Sequence, residues 1–329
     1  MSHSPVNVRP FHGSDTRALL DCWEQALPLD AITLDQLESR VLLDENWERD
    51  SLAVALIDDQ LVGFIACYVL NKPIEKTGHR PTDGFISAFG VHPQHRGRGA
   101  GQALLAHAEN FFRQRGRTQI LLAPYTPNYF VPGVDKDAYA DGLAFLQENG
   151  FTEYSEALAA DALIGTFQLT DKVLQREADL AAEGIVIRHY QRDDLVHFLQ
   201  FQRDLMPGPW VEDARRNLRE LAAGRYPEDA IWLAIDTRSA APAPHIIGFC
   251  QHEHEHFGPF GVSDDYQGKG IGTVLLARTL HQMRKKGCHS AWVLWTGQRA
   301  LDGVYSRLGF TLSRRFAIMK KELATAAPQ

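Results

Sequence analysis

The sequence predicts an α/β chain made of two similar units, each a mixed, twisted sheet with helices packed on it. Residues 89–116 (FGVHPQHRGRGAGQALLAHAENFFRQRG) and 260–287 (FGVSDDYQGKGIGTVLLARTLHQMRKKG) align without a gap at an offset of 171 positions, close to half of the 329-residue chain. A repeat of that period marks a duplicated structural unit. Each copy runs from an apolar strand through a glycine-rich turn into an amphipathic helix, so sheet and helix alternate. With 44% hydrophobic and 23% charged residues, the composition is that of a globular chain long enough to bury two cores.

The elements follow in the same order in both halves. Val8-Arg9-Pro10-Phe11 and Ile187-Arg188-His189-Tyr190 read as first strands, each leading to an Asp-initiated helix at Asp15 and Asp194. Second helices are expected at Thr33–Asp44 and Trp210–Ala223, the latter ending near Gly224. Ser51–Ile57 and Ala230–Ile235, then Leu61–Leu70 and Ile246–Gln251, are apolar runs with strand character, and the Ser239–Pro244 stretch is a Pro/Ala-rich turn. In the repeated segment, Leu104, Leu105, Ala108, Phe111 and Phe112, and Leu275, Leu276, Leu280 and Met283, each form one stripe at helical spacing. Strands follow at Gln119–Ala123 and Ser290–Trp295, and a last helix and strand surround Gly150-Phe151 and Gly309-Phe310. The expected division is a first domain over 1–168, a polar, helix-prone linker over 169–183, and a second domain over 184–329. The first half has the longer loops: Gly63 to Gly90 is 27 positions against 13 for Gly248 to Gly261, and Gly116 to Gly150 is 34 against 22 for Gly287 to Gly309. Long loops in a compact domain tend to build sites.

A formal charge of −7 argues against a broad nucleic-acid interface, which needs a basic face. The longest strongly apolar run, Leu61 to Leu70, is about half of what a membrane helix needs. Cys22, Cys67, Cys250 and Cys288 are scattered without a CxxC, which indicates neither a disulfide framework nor a thiolate metal site. The opening MSHSPVNVRP has no apolar signal region. The expectation is a cytoplasmic protein with reduced thiols, monomeric or homodimeric, with no nucleic-acid or membrane partner.

The turns carry the chemistry. In Gln94-His95-Arg96-Gly97-Arg98-Gly99-Ala100-Gly101, three glycines alternate with other residues just before a helix. Glycine lets backbone N–H groups converge and a bulky anion approach, and the helix N-terminus adds its dipole. Arg96, Arg98 and, in the second copy, Lys269 add charge, so a pyrophosphate is the expected ligand. The Walker lysine is missing, and GxGxG is not the GxGxxG of dinucleotide-binding folds.

Gln94-x-x-Gly97-x-Gly99 matches the (Q/R)-x-x-G-x-(G/A) signature, and the chain resembles the GNAT superfamily of N-acetyltransferases across nearly its whole length, as two units in tandem. The second copy, Tyr266-Gln267-Gly268-Lys269-Gly270-Ile271-Gly272, is typical apart from Asp265, which stands where Gln or Arg is usual. The architecture is similar to that of tandem GNAT proteins, and no residue assigns a particular substrate. The resemblance implies acetyl transfer from acetyl-coenzyme A to a primary amine of a small molecule or peptide, without a metal. The implied coenzyme contacts are Val91, His92, Arg96, Gly97, Arg98, Gly99, Ala100 and Gly101, with Val262, Ser263, Gln267, Gly268, Lys269, Gly270, Ile271 and Gly272 in the second copy.

Many members place a proton-donating Tyr four residues before a Gly-Phe pair, and Tyr305 stands there before Gly309-Phe310. By periodicity alone Tyr305 belongs to a core stripe with Leu301, Val304 and Leu308; the resemblance favours the donor role. The first half has Leu146 at this place, which cannot donate a proton, so that half either only binds coenzyme or uses another residue such as Tyr129 or Tyr139. The chemistry is therefore expected in the second half. His252-Glu253-His254-Glu255-His256 would, as one strand, put three His on one face and two Glu on the other. A metal site there is weighed below a solvated strand edge and turn. Glu255, His254 and His256 are the base candidates, whereas His92, His95 and Trp292 are read as structural or surface positions rather than bases. The alternative is a non-catalytic acyl-coenzyme A-binding or regulatory protein with degenerate units.

Overall fold

The computed structural model describes residues 5–73, 80–126, 128–206, 209–238 and 244–323. Residues 239–243 of the expected Pro/Ala-rich turn, and the first four residues of the chain, lie outside these. No helix among the described residues is long and apolar enough to cross a membrane. By packing, the chain divides into Met1–Ala157 with Arg315–Gln329, and Leu158–Arg314.

The first unit begins with β1 (Asn7–Pro10) and α1 (Thr16–Ala26), then α2 (Leu34–Leu37), which continues as a π-helical turn over Glu38–Leu42. β2 (Leu52–Ile57), β3 (Gln60–Tyr68) and β4 (Asp83–Val91) are successive antiparallel neighbours. α3 (Ala100–Gln114) crosses over to β5 (Gln119–Leu122), which pairs parallel with β4. β6 (Val134–Asp135), α4 (Ala140–Glu148) and β7 (Thr152–Leu163) follow. The side chains of β2 are almost all buried because helices cover both faces of the sheet. α3 and α4 pack on one face around Leu104, Phe112 and Leu146. α1 packs on the other around Trp23, Phe64 and Tyr68.

The second unit contains α5 (Asp171–Ala182), β8 (Ile185–His189), α6 (Leu195–Leu205), α7 (Pro209–Ala222), β9 (Ile231–Asp236), β10 (His245–Glu253) and β11 (His256–Val262). α8 (Ile271–Lys285), β12 (Ser290–Thr296), the short α9 (Gln298–Ala300) and a π-helical turn over Leu301–Tyr305 complete it. The final strand is β13 (Thr311–Glu322). Segment 169–183, expected as a linker, is mostly α5: Thr170 caps it by accepting from Val173 N, and Val173 and Leu180, two turns apart, bury in the core formed with α8.

The strands closing the two sheets come from the opposite half of the sequence. β5 pairs antiparallel with β13 (Met319↔Leu122 through Glu322↔Gln119), and β6 pairs with Phe316 and Ala317. β12 pairs with the second part of β7 (Ser290↔Leu163 through Thr296↔Leu158). The repeat predicts a strand after each Gly-Phe pair, but hydrophobic pattern says which face of a strand is buried, not which strand lies beside it.

One matched detail shows how deep the repeat runs. Arg9 makes a bidentate pair with Asp15 (2.6 and 2.9 Å), and Asp15 also accepts from His12 N at 2.8 Å. Arg188 pairs with Asp194 in the same way (2.7 and 2.8 Å), with Gln191 N at 2.8 Å. Both carboxyls sit below their ordinary range: for Asp15 the Arg9 hydrogen bond leads, while for Asp194 burial opposes and is outweighed by Arg188 and the backbone N–H.

Candidate active site

In the first unit the glycine turn leaves β4 at Val91. Gly97 (φ +73°) and Gly99 (φ +88°) take left-handed conformations, and Gly99 caps α3. Nothing lies within 4 Å of where a Cβ on Gly97 would stand, so this side of the turn is open. A Cβ on Gly101 would meet the Phe145 ring at 2.9 Å, so that glycine sets the α3–α4 approach instead. The first N–H groups of α3 have no intrahelical acceptor and are available to an anion. Arg96 is held by Val91 O (3.3 Å) and Ala26 O (3.4 Å), and Arg98 contacts His95 Nδ1 at 3.1 Å. His92 Nδ1 accepts from Gln94 N at 3.3 Å and so shapes the turn. Burial, then Arg98, holds the His95 imidazole below its ordinary pKa.

β4 and β5 pair from Asp83↔Gln119 to Ile86↔Leu122 and then part, as Ala123 (φ +76°) turns the chain away. Against β3 the register of β4 slips here: Ala66 faces Ala88 and Cys67 faces Ile86, which leaves Ser87 as the extra residue of a bulge. A cavity of about 940 Å³ opens in this gap. It is lined by Val91, Arg96, Gly97, Gly99 and Gly101 of the turn, by Ser87 to Gly90 of β4, and by Trp23, Asp30, Phe130 and Tyr139. Leu146 supplies apolar wall and is 3% exposed.

Of the two alternative tyrosines in this half, Tyr139 lines the cavity. Its hydroxyl donates to Asp30 Oδ2 at 2.8 Å and accepts from Leu29 N at 3.2 Å, which ties the start of α4 to the segment after α1. Tyr139 directly precedes α4, seven residues upstream of Leu146. The family spacing therefore does not reach it, and its only sequence signal is the length of the loop between Gly116 and Gly150.

The second turn has the same backbone and different company. Gly268 and Gly270 both have φ +76°, and Gly270 caps α8. Arg176 of α5 donates to Lys269 O at 2.9 Å, and a Cβ on Gly270 would meet its side chain at 3.1 Å, so a guanidinium arm crosses this turn. Lys269 Nζ stands over the Tyr266 ring at 4.8 Å, and Gln267 donates to Asp264 at 2.7 Å. Asp265 is exposed on the single 3-10 turn Asp264–Tyr266. Pro259 leaves β11 without an N–H at the position matching Ala88.

Tyr305 is 5% exposed and packs against the Phe257, Phe260 and Phe310 rings at 5.5, 6.2 and 5.7 Å. Burial pushes its phenol up to about 12, partly offset by the Thr296 side chain. The core stripe read from periodicity describes this surrounding well.

The His252–His256 run is not one strand. β10 ends at Glu253, His254 (φ +50°) and Glu255 form a tight turn, and β11 starts at His256. The three His therefore do not share a face by alternation. Glu255 accepts from Ser290 Oγ (2.7 Å), Ser290 N (3.1 Å) and His289 N (3.2 Å), contacts that hold its carboxyl below the ordinary range. His256 stacks near Trp292 with ring centroids 4.3 Å apart. The glycine turn leaves the other end of β11, six residue steps away, or about 20 Å at strand rise. Glu255, His254 and His256 thus sit at the far end of the strand from Val262, Ser263 and the turn.

The sequence profile of the acetyltransferase (GNAT) family matches residues 18–130 and again 195–310. No curated protein matches the chain in sequence. Among solved structures, the chain is similar to the GCN5-related glucosamine N-acetyltransferase region of a fungal multi-domain GH3 β-N-acetylglucosaminidase (TM-score 0.79, 19% identity) over 97% of this chain. It spans only 38% of that longer protein. It is also similar to a GCN5-related N-acetyltransferase from Sphaerobacter thermophilus (TM-score 0.70, 16% identity, 97% of this chain and 96% of that one). A tandem GNAT protein from the clavulanic acid biosynthesis pathway covers 99% of this chain and 100% of its own at TM-score 0.63 and 15% identity. With both halves matched and the fold shared end to end, the chain belongs to the acetyltransferase (GNAT) family, as an acyltransferase with two such units in tandem.

Proposed function

We propose that the protein transfers an acetyl group from acetyl-coenzyme A to a primary amine, and that the reaction takes place in the first unit. The observation that carries this reading is the continuous cavity from the open glycine turn, through the parted end of β4, to Tyr139. The pyrophosphate rests on the turn between Arg96 and the start of α3, and the pantetheine arm lies along the part of β4 that has left β5. The amine nitrogen attacks the thioester carbon, the C–N bond forms, and backbone N–H groups of β4 hold the oxyanion. On collapse the C–S bond breaks, the Tyr139 O–H turns from Asp30 to give its proton to the thiolate, and the proton released by the amine nitrogen restores the phenol through water. Hydrogen bonds with Asp30 and Leu29 N already fix the position of that hydroxyl.

Tyr305 led the sequence expectation towards the second unit. Its enclosure by three phenylalanines, and the Arg176 arm across the second turn, support a structural or regulatory role there. Acyl-coenzyme A binding without transfer fits that unit better than it fits the first.

Tyr139→Phe tests the reading. Steady-state acetylation of a saturating amine is expected to fall on the order of 100-fold in kcat. Calorimetric acetyl-coenzyme A affinity should change little. Unchanged kcat would remove Tyr139 from the mechanism.

A further inference from the structure

The acceptor end of the first-unit cavity carries a charge and shape pattern that the coenzyme does not use. Among the described residues, the cationic or titratable bases lining the cavity, His95 and Arg96, stand at the glycine turn. The carboxylates lining it among those residues are Asp30, Asp137 and Asp141, all on segments beside Tyr139. The apolar wall is rigid: Trp23 is 1% exposed, stacks on Phe64 at 4.4 Å and meets Phe130 edge-on at 5.1 Å.

Ser87 lines the same cavity from β4. It is the extra residue of the β4 bulge, is 6% exposed, and its Oγ has no hydrogen-bond partner among the described residues. A buried hydroxyl without a partner is costly, so an orphan inside a cavity marks a place where a ligand completes the bond. A bulge is also a device that re-aims a side chain next to a site.

Resting on the acetyl-transfer reading above, we infer that the acceptor is a compact, apolar-bodied primary amine that carries no carboxylate. Its body lies against Trp23 and Phe130. Its nitrogen is drawn as the ammonium to Asp30 and, once neutral, gives an N–H to Ser87 Oγ. A free α-carboxylate beside that nitrogen would face Asp30, Asp137 and Asp141, and like charges brought together in a partly enclosed site are rejected.

The test uses three acceptors of matched body with the full-length protein: 2-phenylethylamine, phenylalaninamide and phenylalanine. The amide copies the bulk of the carboxylate without its charge. Both uncharged-branch amines should exceed phenylalanine in kcat/KM by about tenfold or more. Asp30→Asn combined with Asp137→Asn and Asp141→Asn should shrink that ratio several-fold. Ser87→Ala should raise KM for 2-phenylethylamine with little change in kcat or in acetyl-coenzyme A affinity, a split that a loss of folding would not produce. Phenylalanine turned over as well as its amide, or a ratio unmoved by the Asp variants, overturns the inference. So does failure to acetylate any of the three. Acetyl-coenzyme A titrated alone by calorimetry into the Gly270→Glu variant, whose second turn is blocked, then separates a wrong acceptor class from a wrong coenzyme reading, since only the latter abolishes binding there.

Discussion

Tyr139 and Tyr305 carry the same hydroxyl into opposite surroundings. The spacing to Gly309-Phe310 made Tyr305 legible as a donor, yet periodicity already placed it on a core stripe, and the core reading describes its packing. Tyr305→Phe is expected to leave acetyl transfer within about twofold while destabilising the protein by about 1 kcal/mol, the worth of one buried hydrogen bond, in denaturant titrations. His252 gives a second residue-scale prediction. It is 3% exposed, its Nε2 has no partner among the described residues, and burial, with Lys286 adding to it, lowers its pKa to about 4. The folded state therefore resists a proton that the unfolded chain accepts at about 6.5. The stability this implies is present above pH 6.5 and is lost as the pH falls towards 4, a change on the order of 2–3 kcal/mol. Thermal unfolding followed between pH 7 and 4 should show that slope, and His252→Gln should flatten it.

At the scale of elements, strands and helices were readable to within a residue or two, because each keeps one period and ends in a turn residue. β2 and β9, for example, begin one residue later than their apolar runs suggest. Two features were not legible, and a third only in part. The His252–His256 run was read by alternation as one strand and, in preference to a metal site, as a strand edge and turn; the turn at His254-Glu255 fits the second reading. Segment 169–183 looked polar enough for a linker, yet two apolar residues seven apart suffice to dock a helix. The bulge at Ser87 depends on register against β3, which a sequence does not display. The glycine turns were fully legible as backbone, since left-handed φ selects glycine. What distinguishes them is a side chain from elsewhere: Arg176 lies 94 positions before Gly270.

For the whole molecule, the exchange of closing strands makes the contiguous halves poor folding units. Phe316, Ala317 and Met319 of β13 are fully buried, the last two in the first unit's core. A chain cut after Arg314 is expected to lose the first unit, seen as loss of one unfolding transition and of acetyl transfer, although the deleted residues are the most distant in sequence. A fragment of residues 1–168 should fail in the same way. The central claim, that one of two look-alike turns serves the reaction, is tested most directly by acetyl transfer in two single variants that remain folded by circular dichroism. Gly99→Glu puts a carboxylate where the pyrophosphate rests and should abolish turnover, while Gly270→Glu should retain most of it. Turnover that survives Gly99→Glu and is lost in Gly270→Glu would contradict the account and return the chemistry to the second unit.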